Sequence, residues 1–393
     1  MRTYTVLEQV RMMKKLPLRV SLAVMAISGS ALSLAQVPDL VNALDAGGRT
    51  MGAGGAFYAT DANTYSALSN PANLGFINSS QFGIAFRNLP TSRQRVSGSF
   101  TNRTFNGEEF FGKRAITHVG YATPVATGTI GLSFTTGGYL RNQQAGTGLA
   151  NGQLRVDNYF EETISQTDFF TISYGRNSGQ TNYGFGIVVA NQYIKNERNL
   201  TIVDPQTNQT VGTQQSNVSG NGTGLGAVVG ISHTPVNNPD LNVSFSLRTP
   251  ISLEGNTSTE AIYDRVPGKA TLGLAMRTDG RFGSDDFMVY GFQADYYFGG
   301  QSNRVIPRKN HLVFGGGLEY NLFKFDARWP IRFGVQMAPS GGAGFDERHA
   351  LTFGLGYRPY SNKYAVDLNF ASPTGGGPVD MSLGITYAVG GVK

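Results

Sequence analysis

The chain has no cysteine, one tryptophan and four histidines in 393 residues. Without cysteine there is no disulfide scaffold, no thiolate zinc site and no cysteine nucleophile. Charged residues are scarce, at 15%, where ordinary soluble domains carry about a quarter. Long apolar runs are missing too: after residue 35 no stretch approaches the roughly 20 residues that a membrane-crossing helix needs, which excludes a helical multi-span protein. No period of roughly 20 to 50 residues recurs, which argues against a solenoid or propeller. What is abundant is glycine, 52 residues of 393, nearly twice the usual share of about 7%. With 25 Phe and 18 Tyr the chain is too aromatic for a disordered protein. The composition leaves a large, glycine- and aromatic-rich β protein.

The formal net charge of +6 is concentrated at the N-terminus. Arg2, Arg11, Lys14, Lys15 and Arg19 face only Glu8 within the first 35 residues, and the remainder is close to neutral. The basic isoelectric point is therefore a leader effect and gives no ground for nucleic-acid binding. Lys14, Lys15 and Arg19 precede an apolar stretch from Val20 to Ile27, and Ser33-Leu34-Ala35 stands before Gln36. A charged start, a short apolar centre and a small-x-small end are the features of a secretory signal peptide, expected over residues 1–35, with Met12 or Met13 as alternative starts. The apolar centre is too short for an anchor helix, the competing reading.

From residue 81 the apolar period is 2. Ile331, Phe333, Val335 and Met337 alternate with Arg332, Gly334 and Gln336; Leu351, Phe353, Leu355 and Tyr357 alternate with Thr352, Gly354 and Gly356. One face is almost purely apolar and the other small or polar, which suits a barrel in lipid rather than a soluble sandwich. Thirteen alternating segments lie between 113 and 388. Short connections at 124–127, 177–180, 234–239, 278–285, 322–328 and 359–362 alternate with longer ones at 139–162, 196–220, 251–267, 299–310, 339–347 and 372–379. Short turns on the periplasmic side and long loops outside are the outer-membrane pattern. Even closure requires one more strand, for which Gln81–Asn88 is the best candidate, with Arg95–Thr101 either its continuation or an outer hairpin. The expected fold is all-β: a transmembrane antiparallel barrel of about 14 strands over 81–393. Trp329, Tyr296, Phe298, Tyr357 and Tyr360 fall at expected strand ends, where bilayer interfaces favour aromatics.

Residues 36–80 do not alternate. They include Gly47-Gly48-Arg49-Thr50-Met51-Gly52-Ala53-Gly54-Gly55-Ala56-Phe57, then Asp61-Ala62-Asn63 and Asn70-Pro71-Ala72-Asn73-Leu74-Gly75. This stretch resembles the start of FadL/TodX-type outer-membrane proteins and their porin-like, secretion-associated relatives. The resemblance is close over about 30 residues and architectural beyond them. It implies a plug over 36–80, folded inside a 14-strand barrel, with Asn70, Pro71 and Ala72 at a turn that acts as a gate. It further implies passive outer-membrane transport of hydrophobic small molecules, long-chain fatty acids by default and aromatic hydrocarbons otherwise, by a monomer surrounded by outer-membrane lipid. The alternative is a non-transporting barrel that anchors or binds a secretion partner. The chain departs from the pattern in its polar outer loops and in the six residues that follow Tyr387.

The search for enzyme chemistry is negative. HExxH, GxSxG and a complete GxGxxG are all absent. Gly107–Lys113 fits the first part of a phosphate loop, but Arg114 stands where Ser or Thr is required, so an ordinary loop is expected there. The four histidines are scattered, with no metal set, and His118, which faces the lumen in this register, has no obvious triad partners. No enzyme activity and no cofactor are expected. The informative surface is the inward face, where Arg248, Asp295, Glu319, Arg332 and Asp367 should pair with one another or with the plug, because isolated buried charges are costly.

Overall fold

The computed structural model describes residues 49–98, 103–151, 154–255, 265–280, 285–300, 309–339, 348–374 and 379–389. The expected signal peptide and the first part of the expected plug lie outside them. Fourteen strands form the wall. They are β1 (Ser80–Gly98), β2 (Arg103–Val125), β3 (Gly128–Gly146), β4 (Leu154–Ser178), β5 (Thr181–Asp204), β6 (Gln209–His233), β7 (Leu241–Arg248), β8 (Gly268–Asp279), β9 (Phe287–Phe298), β10 (His311–Lys324), β11 (Ala327–Ala338), β12 (Arg348–Pro359), β13 (Tyr364–Pro373) and β14 (Asp380–Val389). Each pairs antiparallel with the next, and β1 pairs with β14 from Ser80↔Val389 to Asn88↔Met381, which closes the barrel. Closure leaves no edge for lipid to meet, the condition a sheet must satisfy in a bilayer.

The lipid face follows directly from the alternation. Phe170, Ile172, Phe185, Ile187, Leu225, Phe292, Phe333 and Leu351 are exposed, while the neighbours between them point inward. Trp329 stands at the rim, edge-on to Tyr357 at 4.8 Å, and its Nε1 donates to the Lys324 carbonyl at 3.2 Å. An amphipathic ring with one polar tip belongs at such an interface.

The long connections expected at 139–162 and 196–220 are largely strand. β3 to β6 run 19 to 25 residues, about twice the span of a bilayer. The apolar alternation stops where lipid stops, but the ladders continue on polar pairs. Arg141 and Lys195 both reach Glu162, at 2.8 and 3.4 Å, and Gln143 Nε2 donates to it at 2.7 Å. At the top, Leu149, Val156, Tyr159, Leu200 and Ile202 form a small core of their own. The stretch Gly107–Lys113, expected as a loop, is likewise part of β2. The open question at Arg95 is also answered: β1 continues through it to Gly98.

Inside the ring lies the segment that precedes β1. It forms α1 (Arg49–Gly52), α2 (Ser66–Ser69) and a 3-10 turn, Pro71–Phe76. Ala53, Ala56, Phe57, Ala59, Ala67, Leu68, Ala72 and Leu74 are all buried.

Candidate functional site

The inner wall receives this segment on rows of glycine. Gly175, Gly184 and Gly230 stand opposite one another across β4, β5 and β6. A Cβ at Gly175 or Gly184 would overlap the Pro71 backbone, and one at Gly230 would overlap Asn70 Oδ1. A second row, Gly291, Gly317 and Gly334, crosses β9, β10 and β11. Phe57 rests on the first of these and Ala53 on the other two. At Gly175, Gly184, Gly317 and Gly334 backbone lies against backbone, and Gly230 and Gly291 make room for the Asn70 and Phe57 side chains.

The Asn70-Pro71-Ala72 turn is held by its own side chains. Asn70 is fully buried; its Oδ1 accepts from Ala72 N at 3.1 Å and its Nδ2 donates to the Ala59 carbonyl at 2.8 Å. Asn73 Nδ2 donates to the same carbonyl at 2.6 Å. Proline at the first position of the 3-10 turn sets its φ, and Asn70 is extended as a residue before proline should be.

Three of the five expected lumen charges meet. Arg332, fully buried, lies 2.7 Å from Glu319 Oε2 through Nε and 2.7 Å from Asp367 Oδ1 through Nη1. Arg49 of the inner segment joins them, 2.9 Å from Glu319 and 3.3 Å from Asp61. Burial alone would lower the Arg49 pKa, but Glu319 and Asp61 outweigh it and hold it above its ordinary value. Asp295 belongs to a separate group: it accepts from Thr271 at 2.7 Å and pairs with Lys269 at 3.3 Å. Lys269 in turn sits 3.5 Å over the Tyr58 ring. Arg248 covers the Phe169 ring at 4.4 Å. Sequence reasoning missed Arg49, although it is the only charge between Asp45 and Asp61 in a stretch of small and apolar residues.

His118 is fully buried and stacks on Tyr65 with ring centroids 3.5 Å apart. Its nitrogens lie 3.0 Å from Thr64 Oγ1 and 2.8 Å from Thr135 Oγ1. Threonine on both sides gives a latch between wall and inner segment. The wall changes at this point. The β2–β3 ladder stops at His118↔Thr135, and β3 next meets β1 in parallel, from Ser92↔Asn142 to Arg95↔Ala145. Leu89 and Tyr139 pack together beside this step. Above α2 lies a packed apolar cluster: Leu68 joins Phe169, Val188, Ala190, Ile194 and Val228, covered by Ile251, Leu253 and Val266 of the β7–β8 connection.

A closed, even, antiparallel barrel with an apolar outer band is an outer-membrane β-barrel. Its fold is that of the FadL and toluene-transporter structures. A FadL homologue of Pseudomonas aeruginosa superposes with a TM-score of 0.58 at 15% identity, covering 86% of this chain and 97% of that one. The Ralstonia pickettii toluene transporter TbuX gives 0.55 at 13%, covering 88% and 99%. The P. putida toluene transporter TodX gives 0.55 at 12%, with the same coverage. No protein-family model matches the sequence, and no curated protein matches it.

Proposed function

We propose that the protein is a passive outer-membrane transporter of hydrophobic small molecules, working as a monomer with the segment before β1 as its plug. One observation carries the reading: the interior above α2 is an apolar cluster of Leu68, Phe169, Val188 and their neighbours, which runs from the β7–β8 connection down to the inner segment. A hydrophilic porin would line that space with polar groups and water. A packed apolar cluster resting on the inner segment suits a cargo that leaves bulk water and enters when the plug and its cover shift. The β2–β3 step beside Tyr139 is the proposed side exit, and the His118 latch to Thr64 ties it to the plug. The similar structures, named as toluene transporters and a FadL homologue, support the same class. Long-chain fatty acids are the first cargo to test and monoaromatic hydrocarbons the second.

Uptake of a labelled long-chain fatty acid, or of toluene, into a host lacking its own transporter tests this. Uptake normalised to surface expression should exceed the empty-vector control, and Asn70→Ala should alter it. The Asn70 change removes two hydrogen bonds from a buried turn, a loss of about 1–3 kcal/mol where partners stay unsatisfied. No uptake of either cargo would leave the partner-binding barrel as the better account.

A further inference from the structure

A cavity of about 280 Å³ lies on the periplasmic side of the inner segment. It is flanked by Asn362 of the β12–β13 turn and by Gln81 and Ala388 at the ends of β1 and β14. Three guanidinium groups line it: Arg49 from the segment, Arg328 from β11 and Arg358 from β12. Two carboxylates also line it, and both are already engaged. Asp61 pairs with Arg49, and Asp367 is shared by Arg332 at 2.7 Å and Arg358 at 3.6 Å.

Arg328 is the anomaly. Among the described residues it makes no ion pair, its Nε is buried without a hydrogen-bond partner, and its guanidinium lies 5.9 Å from the Phe287 ring. It also stands directly opposite Arg358 across the β11–β12 ladder. Directly opposed side chains start from Cβ atoms about 5 Å apart, and like charges there destabilise the pair. Arg358 has Asp367 as its counter-ion at 3.6 Å, which leaves Arg328 as the guanidinium at this cavity without one among the described residues. A planar fork of donors fits a carboxylate two-pronged, and fits it better than an ammonium would.

We propose that this cavity binds the carboxylate of an amphipathic anion, with Arg328 as its ligand; Arg49 and Arg358 stay with Asp61 and Asp367. The cavity has room for a head group and a short length of chain. The proposal rests on the transport reading only in naming such an anion as cargo at the release side of the plug. It would make the cargo acid rather than hydrocarbon.

The test is equilibrium dialysis of the purified full-length protein in a non-ionic detergent. The probes are octanoate, 1-octanol with the same tail and no charge, and inorganic phosphate. Octanoate should saturate at one per chain, and Arg328→Gln should weaken it about tenfold or more, the loss of one charge-assisted contact. Arg328→Lys should fall between. Binding of 1-octanol should be unchanged by either variant. Without ligand, Arg328→Gln should unfold no earlier than the parent on heating, because it relieves the opposition to Arg358; earlier unfolding would mark Arg328 as structural and overturn the proposal. Equal octanoate binding by parent and Arg328→Gln would overturn it, and so would phosphate binding as tightly as octanoate. If toluene uptake succeeds while octanoate fails to bind, the acid site falls and the transporter stands.

Discussion

Deleting residues 36–75 should turn a nearly closed protein into an open ion conductor. A barrel of about eight strands is filled by its own side chains, and one of about 16 to 18 leaves an aqueous channel. Fourteen strands fall between, so what occupies the lumen decides conduction. Here the occupant reaches most of the wall. Thr64 meets Gly83 and Gly120, Leu74 meets Gly131 and Gly175, Asn70 meets Gly230, Ala59 meets Gly273 and Phe57 meets Gly291. Removing it exposes rows of glycine and leaves a wide gap, while the fourteen-strand ladder and the lipid face are untouched. Planar-bilayer conductance should rise by roughly an order of magnitude or more, toward that of an unplugged barrel. The deleted protein should still insert and show heat-modifiable gel mobility. Conductance no higher than that of the full-length protein would mean that the segment does not obstruct the lumen.

The same contacts explain what the sequence made legible. Alternation is enforced twice in the wall, by lipid outside and by the packed lumen inside, so strands such as β11 and β12 can be read from Ile331–Met337 and Leu351–Tyr357. The parity of short and long connections then gives the number of strands. Neither constraint acts above the bilayer. There the ladders of β3 to β6 are held by pairs such as Glu162 with Arg141 and Lys195, and a run rich in Asn, Gln and Thr reads as loop. The inward register of Glu319, Arg332 and Asp367 was legible because period 2 fixes which face a residue joins. Which of them meet was not, because that depends on the offset between neighbouring strands. Asp295 illustrates the difference: it points inward as expected, yet it pairs with Lys269 and not with the Arg332 cluster. The glycine rows were visible as inward glycines. That Asn70-Pro71 and Ala53 rest on them required the fold.

Replacing Arg332 by Met should destabilise the barrel strongly. Arg332 is fully buried and stands between two carboxylates, Glu319 and Asp367, each 2.7 Å away. Methionine approximates its stem and removes its charge, so both carboxylates lose their nearest cation inside the lumen. Breaking a buried pair from one side costs about 3–5 kcal/mol, since the abandoned charge stays desolvated. Arg49 and Arg358 remain, at 2.9 Å from Glu319 and 3.6 Å from Asp367, which keeps the loss toward the lower end. Urea unfolding from detergent or lipid should show a midpoint well below that of the parent. The double change Arg332→Met, Glu319→Gln should recover part of the loss, because Arg49 then keeps Asp61 at 3.3 Å and Arg358 keeps Asp367 at 3.6 Å. Recovery separates charge from packing: if the double variant is no more stable than Arg332→Met, the arginine acts through its shape rather than through the charge of Glu319.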